Sequence, residues 1–153
     1  NALPPKGSQF PWEKVRKTIL PKLKKEFAGQ LMGVAAFGSQ VSNAATLASD
    51  LDVLIALSPE TPIKRRLYDI WDKFNFDYKP ELAPHFVNLA KFTKVKQGSG
   101  LWLEIALNHK ILFEQKGSLT KRFNLLQKCI SGDEVRRYFA SGHPFWIWKK
   151  NEK

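Results

Sequence analysis

The sequence has few of the features that secreted and membrane proteins carry, namely paired cysteines, long apolar runs and a secretory signal. It contains a single cysteine, Cys129, which cannot form a disulfide within the chain. None of its apolar runs approaches the roughly 20 residues that a transmembrane helix needs. The opening stretch NALPPKGSQFPW lacks the apolar segment of a secretory signal. We therefore predict a cytoplasmic protein that does not enter the membrane.

Acidic residues are also scarce relative to basic ones. The chain has 14 Asp and Glu against 25 Lys and Arg, which gives a net charge of +11. The electrostatic field of such a charge attracts polyanions such as nucleotides, RNA or an acidic protein surface. The charge is equally consistent with a basic surface that contacts only solvent. The basic groups at 64–66, at 91–96 and at Arg136 and Arg137 could line a path for an RNA or protein acceptor. Most such runs are ordinary helix faces.

The length of 153 residues is that of one compact domain. We predict a flexible arm over residues 1–11, which are rich in Pro and Gly, and a single domain over residues 12–153.

The periodicity of the apolar residues predicts a mixture of helices and strands. Helical spacing is found over 12–27 and, behind a Thr-Pro start, over 61–74, whereas LMGVAAF, LDVLIAL and HFVNLAKF are typical of strands. A helical turn or two is expected between the first two strands. A helix over about 100–109, a short strand ILF and one or two further helices split near Gly132 complete the pattern. This order favours an α+β (α/β-like) fold, a small mixed sheet flanked by helices.

Two aspartates stand where the second strand begins, in the stretch AFGSQVSNAATLASDLDVLIAL. Asp50 and Asp52 are separated by one residue, so on a strand their side chains point to the same face, with Cα atoms roughly 6.5 to 7 Å apart. Converging carboxylates repel each other unless a cation lies between them, and hard oxygen ligands select Mg²⁺ or Mn²⁺. The pair is therefore a candidate metal site.

A Gly-Ser pair ends the preceding strand. Gly38 allows a close approach of the backbone, and the Ser39 hydroxyl, together with free amides at a helix N-terminus, can hold phosphate oxygens. A metal site and a phosphate cradle together suggest a nucleoside triphosphate.

The segment GSQVSNAATLASDLD has Gly-Ser, ten residues and then Asp-x-Asp, which resembles the signature of the polymerase-beta-type nucleotidyltransferase superfamily, especially its minimal prokaryotic, antitoxin-like members. Ser49 before the first Asp is also typical of that family. The resemblance implies the nucleotidyltransferase fold and transfer of a nucleotidyl group, such as AMP, from a triphosphate to a protein, RNA or small-molecule acceptor. It also implies Mg²⁺ or Mn²⁺ as cofactor and, in small prokaryotic relatives, a helical toxin as partner.

Carried over residue by residue, the resemblance assigns Gly38, Ser39 and Ser49 to nucleotide binding and Asp50 and Asp52 to the metals. Members of the family carry a third carboxylate on a following strand, and this chain departs from that pattern.

The matching stretch here, PHFVNLA, offers His85 or Asn88 instead of the third carboxylate. His85 is therefore a candidate catalytic residue, either as a metal ligand that suits Mn²⁺, Zn²⁺ or Fe²⁺ better than Mg²⁺ or as a general base. Asp77, Glu81 or Glu104 would supply the missing charge only if its segment folds toward the site.

Two other functions remain open from the sequence. The absent third carboxylate is compatible with an inactive nucleotidyltransferase-like binding or assembly module, and the net charge with a basic RNA-binding protein. His109 and His143 have no Cys or Glu at ligand spacing, so surface or capping roles are expected and no zinc site. Of Trp146 and Trp148, one is expected to pack on the sheet and the other to be free for a base or a partner.

Overall fold

The computed structural model describes residues 12–38, 50–77, 81–89 and 100–149. The predicted arm over 1–11 and the predicted helical turn between the first two strands lie outside these ranges. The described elements, in chain order, are α1 (Trp12–Glu26), β1 (Leu31–Phe37), β2 (Leu51–Leu57), α2 (Arg65–Phe74), β3 (Leu82–Asn88), α3 (Gly100–Leu107), β4 (His109–Glu114), α4 (Ser118–Ser131), β5 (Val135–Ala140) and β6 (His143–Trp148).

The first four strands form one mixed sheet in the order β3-β2-β1-β4. Strand β1 is antiparallel to both β2 and β4, while β2 and β3 are parallel. Their apolar character follows from their position, because β1 and β2 lie in the middle of the sheet and are covered on both faces. The predicted α+β fold with a mixed sheet is confirmed.

One face of the sheet packs against α1 and α2. Helix α1 buries one stripe of residues at helical spacing, and α2 buries Leu67 and Trp71. They meet every second residue of β2, namely Leu51, Val53, Ile55 and Leu57. Pro21 lies inside α1 without ending it.

The opposite face of the sheet packs against α3, α4 and part of the C-terminal hairpin. The alternate residues Leu54 and Ala56 of β2 belong to this second core, together with Phe123 of α4. Each residue of β2 can therefore be assigned to a face by its parity.

Helix α2 begins later than its Thr-Pro signal predicts. Thr61 is buried, its N–H donates to the carbonyl oxygen of Ser58, and its hydroxyl lies 2.9 Å from that of Ser58. Residues 58–61 therefore form a turn, and the helix begins only at Arg65. Ile63, which lies within the range 61–74 where the sequence predicts helical spacing, precedes the helix and is exposed. The helix over 100–109 was predicted nearly correctly, ending at Leu107.

The prediction for the C-terminus was partly wrong. Helix α4 ends at Ser131, as the expected break near Gly132 requires, but the chain then forms a hairpin of β5 and β6 and not a second helix. The two-residue loop Ser141–Gly142 has positive φ at both positions, +52° and +78°, which is the conformation that tight hairpins favour.

Both tryptophans of β6 pack inward, which corrects the prediction that one would be free. Residues two apart on a strand share a face, so Trp146 and Trp148 both lie against the second core. The outer face of the hairpin instead carries Tyr138, Phe145 and Ile147.

No helix in the described ranges combines the length and the apolar character required to cross a membrane. The division of the chain into one domain over 12–153 stays a prediction.

Candidate active site

Asp52 lies on β2 with its side chain on the face covered by α3 and α4. It alternates with Leu54 and Ala56, which belong to that face, whereas its neighbours Leu51 and Val53 are fully buried on the other. The side chain is one-third exposed because the position is the second residue of the strand, near the rim of the sheet. Asp52 is thus an acidic residue on a central strand that reaches solvent at one end of the sheet.

Asp50 immediately precedes β2 and is exposed. The N–H of Leu51 donates to the carbonyl oxygen of Glu81, 2.8 Å away, which fixes the start of β2 against the start of β3. Within the described parts of the chain, neither Asp50 nor Asp52 forms an ion pair with a lysine or arginine. In a chain with 25 basic residues, these carboxylates remain accessible to an external cation.

Gly38 turns the chain directly beside Asp52. Its φ of +91° is a left-handed conformation that favours glycine, and a Cβ at this position would come within 3.0 Å of Oδ2 of Asp52. The register agrees, since Phe37 pairs with Asp52 across the antiparallel strands β1 and β2. Any other residue at position 38 would therefore displace the carboxylate.

His85 lies on β3 and contacts the other oxygen of the same carboxylate. Its Nε2 is 3.1 Å from Oδ1 of Asp52. The parallel register places His85 opposite Leu54, two residues along from Asp52, so the contact runs diagonally between adjacent strands. The ring of Phe37 lies 5.0 Å from the imidazole, centroid to centroid, and restricts its orientation.

The structure distinguishes between His85 and Asn88, the two residues that the sequence offers in place of the third carboxylate. Asn88 is opposite Leu57, at the far end of β2, and its amide nitrogen is 3.5 Å from the carbonyl oxygen of Thr61. Of the two candidates, His85 is therefore the one that contacts Asp52.

Asp77, Glu81 and Glu104, the three carboxylates considered as replacements for the missing third one, lie in different surroundings. Asp77 is an exposed residue after α2. Glu104 is held by the hairpin, where its oxygens accept hydrogen bonds from Arg137 and Trp146. Glu81 lies beside the aspartates along the backbone, as its bond to Leu51 shows, and its exposed side chain leaves it in reach of solvent at the same rim.

Two predicted nucleotide-binding residues, Ser39 and Ser49, lie outside the described residues. His109 has the expected capping role, because its Nδ1 lies 2.8 Å from the carbonyl oxygen of Ile105 near the end of α3. His143 is exposed on the hairpin. Within the described ranges, no three His, Cys, Asp or Glu side chains converge closely enough to form a complete metal site on their own.

The residues present nevertheless fit a divalent cation bound together with a nucleotide. The Asp52 carboxylate and the His85 imidazole offer an oxygen and a nitrogen donor 3.1 Å apart, and Gly38 keeps the space beside Asp52 free of a side chain. Mg²⁺ bound to nucleotides is commonly held by one or two protein carboxylates while substrate phosphates supply further ligands. Such an ion would neutralise charge on the phosphates and orient them for displacement.

Sequence reasoning missed two features of this site. One is Phe37, whose ring packs on His85, and the other is the contact between Gly38 and the Asp52 carboxylate, since the glycine was assigned to phosphate binding alone. Antiparallel pairing of the strands on either side of the Gly-Ser turn is the signal that would have predicted the second.

Comparisons with known proteins identify the family and the fold. The model of the nucleotidyltransferase domain family matches residues 16–113, which include β1 through β4 almost completely. No functionally curated protein matches the chain.

Among solved structures, a chain from a toxin–antitoxin complex with AMP-PNP is similar, with 13% identity, a TM-score of 0.50, and coverage of 78% of this chain and 89% of that one. A chain from a mutant of the MntA–HpeT toxin–antitoxin complex has 15% identity and a TM-score of 0.50, with coverage of 82% and 90%. These likenesses concern the fold. Since the family model spans well over half of the sequence, the chain belongs to the nucleotidyltransferase domain family.

Proposed function

We propose that the chain is a metal-dependent nucleotidyltransferase that transfers a nucleotidyl group, such as AMP, from a nucleoside triphosphate to a protein acceptor, and that it acts as the antitoxin of a toxin–antitoxin pair in the cytoplasm. The observation that carries the proposal is the carboxylate of Asp52 with Gly38 against one oxygen and His85 against the other. Membership of the family supports the class of reaction.

In this proposal Asp50 and Asp52 hold Mg²⁺ or Mn²⁺, which stabilises the negative charge on the triphosphate during displacement. Gly38, Ser39 and Ser49 accommodate the triphosphate. An acceptor hydroxyl attacks the α-phosphorus, the bond from that phosphorus to the bridging oxygen breaks, and pyrophosphate leaves with the electron pair while the hydroxyl proton passes to solvent or a base.

A protein acceptor is favoured over RNA or a small molecule by the similar folds, which come from toxin–antitoxin complexes, one of them containing AMP-PNP. The net charge of +11 suits an acceptor surface with acidic character.

The test is transfer of label from α-labelled triphosphates. The purified chain is incubated with each of the four ribonucleotides, Mg²⁺ or Mn²⁺, and an extract of cells that encode it, and labelled protein is resolved on a gel. Asp52→Asn should reduce labelling by at least about 100-fold, since loss of a metal ligand exceeds the roughly 10 to 100-fold cost of losing a residue that only supports one. Its melting temperature should stay close to that of the wild type.

A second function is favoured by one specific observation, the hydrogen-bonding contact of His85 with Asp52, because the family pattern that the sequence resembles implies a third carboxylate in the place of this histidine. In that case the fold is retained as an inactive binding module. Absence of label from every nucleotide with either metal would exclude the transferase, and a biological effect that survives Asp52→Asn would establish the module.

A further inference from the structure

His85 and Asp52 form a pair whose members come from different strands. Their side chains are each about one-third exposed, at 37% and 33%, so both reach the rim of the sheet without being loose surface groups. Phe37 packs on the imidazole, and Gly38 confines the other carboxylate oxygen. Both donor atoms are therefore positioned by neighbours.

The separation of the two donor atoms is that of adjacent ligands on one ion. Two ligands at right angles on a six-coordinate cation, each about 2.1 Å from it, are about 3.0 Å apart. The observed distance from Nε2 to Oδ1 is 3.1 Å. The same pair that forms a hydrogen bond can therefore bind a cation without moving a strand.

We propose that His85 is a metal ligand beside Asp52 and that it makes the site select a first-row transition ion, Mn²⁺ in particular, over Mg²⁺. This inference rests on the proposed function, because it concerns the metal which that reaction uses. It identifies His85 as a determinant of metal specificity, and it assigns the proton transfer from the acceptor to another group.

The physical reason lies in the donor. An imidazole is neutral and softer than a carboxylate, whereas Mg²⁺ is a hard ion that prefers oxygen and gives up its waters reluctantly. Replacing a carboxylate by His85 also removes one negative charge from the set, which weakens the electrostatic attraction for any dication. The change of donor and the loss of charge both weaken the binding of Mg²⁺. A transition ion recovers part of this affinity through its bond to nitrogen.

The competing interpretation is that His85 only orients Asp52 by a hydrogen bond. Both interpretations predict that removing the imidazole lowers activity, so activity alone cannot separate them. They differ in whether nitrogen is bonded to the metal.

The experiment uses the full chain with Mn²⁺ as the probe and pulsed electron paramagnetic resonance as the readout. Nitrogen bonded directly to Mn²⁺ gives a coupling that a carboxylate does not. We expect this coupling in the wild type and its loss in His85→Asp and in the more conservative His85→Asn. His143→Asp, the same substitution at an exposed histidine of the hairpin, is the matched control and should keep it.

Competition of Mg²⁺ against bound Mn²⁺ gives the second readout. His85→Asp should lower the preference for Mn²⁺ over Mg²⁺ by about tenfold, an effect as large as the smaller losses of metal affinity, about tenfold, that follow removal of a residue supporting a metal ligand. Circular dichroism establishes that each variant folds, and His85→Asn keeps the test valid if the aspartate does not.

The outcomes separate this inference from the proposed function. Wild-type Mn²⁺ without nitrogen coupling, no Mn²⁺ binding, or an unchanged metal preference in His85→Asp would overturn the inference even if label is transferred. Nitrogen coupling and Mn²⁺ preference without label transfer would leave the inference standing and reject the transferase.

Discussion

The carboxylates of the sheet rim and those of the C-terminal hairpin are neutralised in opposite ways. At the hairpin, Asp133 is paired with Arg136 and Lys149, and Glu104 receives both nitrogens of the Arg137 fork. The cations lower the pKa of Asp133 well below its usual range through their hydrogen bonds. These acidic groups serve to attach the hairpin.

At the sheet rim, the carboxylate of Asp52 has a histidine and a glycine as neighbours instead. An imidazole, unlike the guanidinium of an arginine, is not a permanent cation. The difference teaches that, among the described residues, a carboxylate with neither a lysine or arginine partner nor backbone amide donors is one to consider for binding. Loss of charge should therefore affect stability at the hairpin and activity at the rim.

Among the substitutions that test this difference between the rim and the hairpin, Gly38→Ala is expected to have the largest effect on activity and stability. The new Cβ would collide with the Asp52 carboxylate and the residue would remain at positive φ, which costs about 1 to 3 kcal/mol. We expect label transfer to be lost and the chain to be less stable in urea unfolding.

Gly142→Ala is the matched control for this substitution. Gly142 also has positive φ, +78°, but no atom lies within 4 Å of a Cβ placed there. The variant should lose stability to a similar extent and keep its label transfer. If both variants retained activity equally, the proposed importance of the space beside Asp52 would be wrong.

The sequence predicted the rim better than the hairpin for a physical reason. Strands β1 and β2 are nearly continuous apolar runs, and the spacing between Gly-Ser and Asp-x-Asp is local, so both can be found by inspection. The hairpin was missed because its strands carry Arg and His on the outer face and come after a helix without a long linker. The sequence feature that indicates the hairpin is the turn pair Ser141–Gly142 between two aromatic segments.

The contact between His85 and Asp52 could be suspected from the sequence, but its geometry could not be predicted. It depends on the register of two parallel strands that are separated by α2 and its connections, and a shift by one residue would turn His85 to the other face. The same holds for the contact between Glu104 and Trp146, which are 42 residues apart.

A smaller effect is expected from Glu104→Gln at the hairpin. The substitution removes the charge and places an NH₂ group against the Arg137 donors, while Trp146 competes for the remaining oxygen. Because the paired side chains are 35% and 28% exposed, we expect a loss of about 1 to 2 kcal/mol in the free energy of unfolding.

Label transfer per folded molecule should be unchanged in Glu104→Gln, which tests the comparison directly. Glu13→Gln serves as its control, because Glu13 pairs with Arg16 at an exposed position on α1 and should cost very little. A loss of transfer in Glu104→Gln at full stability would show that the hairpin carboxylate belongs to the site after all.

The smallest effect on stability is expected from substituting Glu114, a carboxylate whose hydrogen bonds come from backbone amides. Its Oε1 accepts hydrogen bonds from the N–H groups of Leu119 and Thr120 at 2.9 and 2.8 Å, and so caps the start of α4, where Gly117 has no side chain to do so. Burial raises the pKa of Glu114, but the hydrogen bonds from Thr120 and Leu119 outweigh it and the pKa is lowered.

A lowered pKa in the folded state means that Glu114 contributes stability above its unfolded pKa and loses that contribution as the pH falls through the folded value. Glu114→Gln should therefore cost about 0.5 to 1 kcal/mol at pH 7, a typical capping contribution, and the difference from the wild type should shrink as the medium is acidified. Urea unfolding at neutral and acidic pH measures it, with the exposed Glu134→Gln as control. A loss that stays constant with pH would mean that it comes from the altered hydrogen-bonding groups of glutamine, and that the charge on this third kind of carboxylate contributes nothing to the helix.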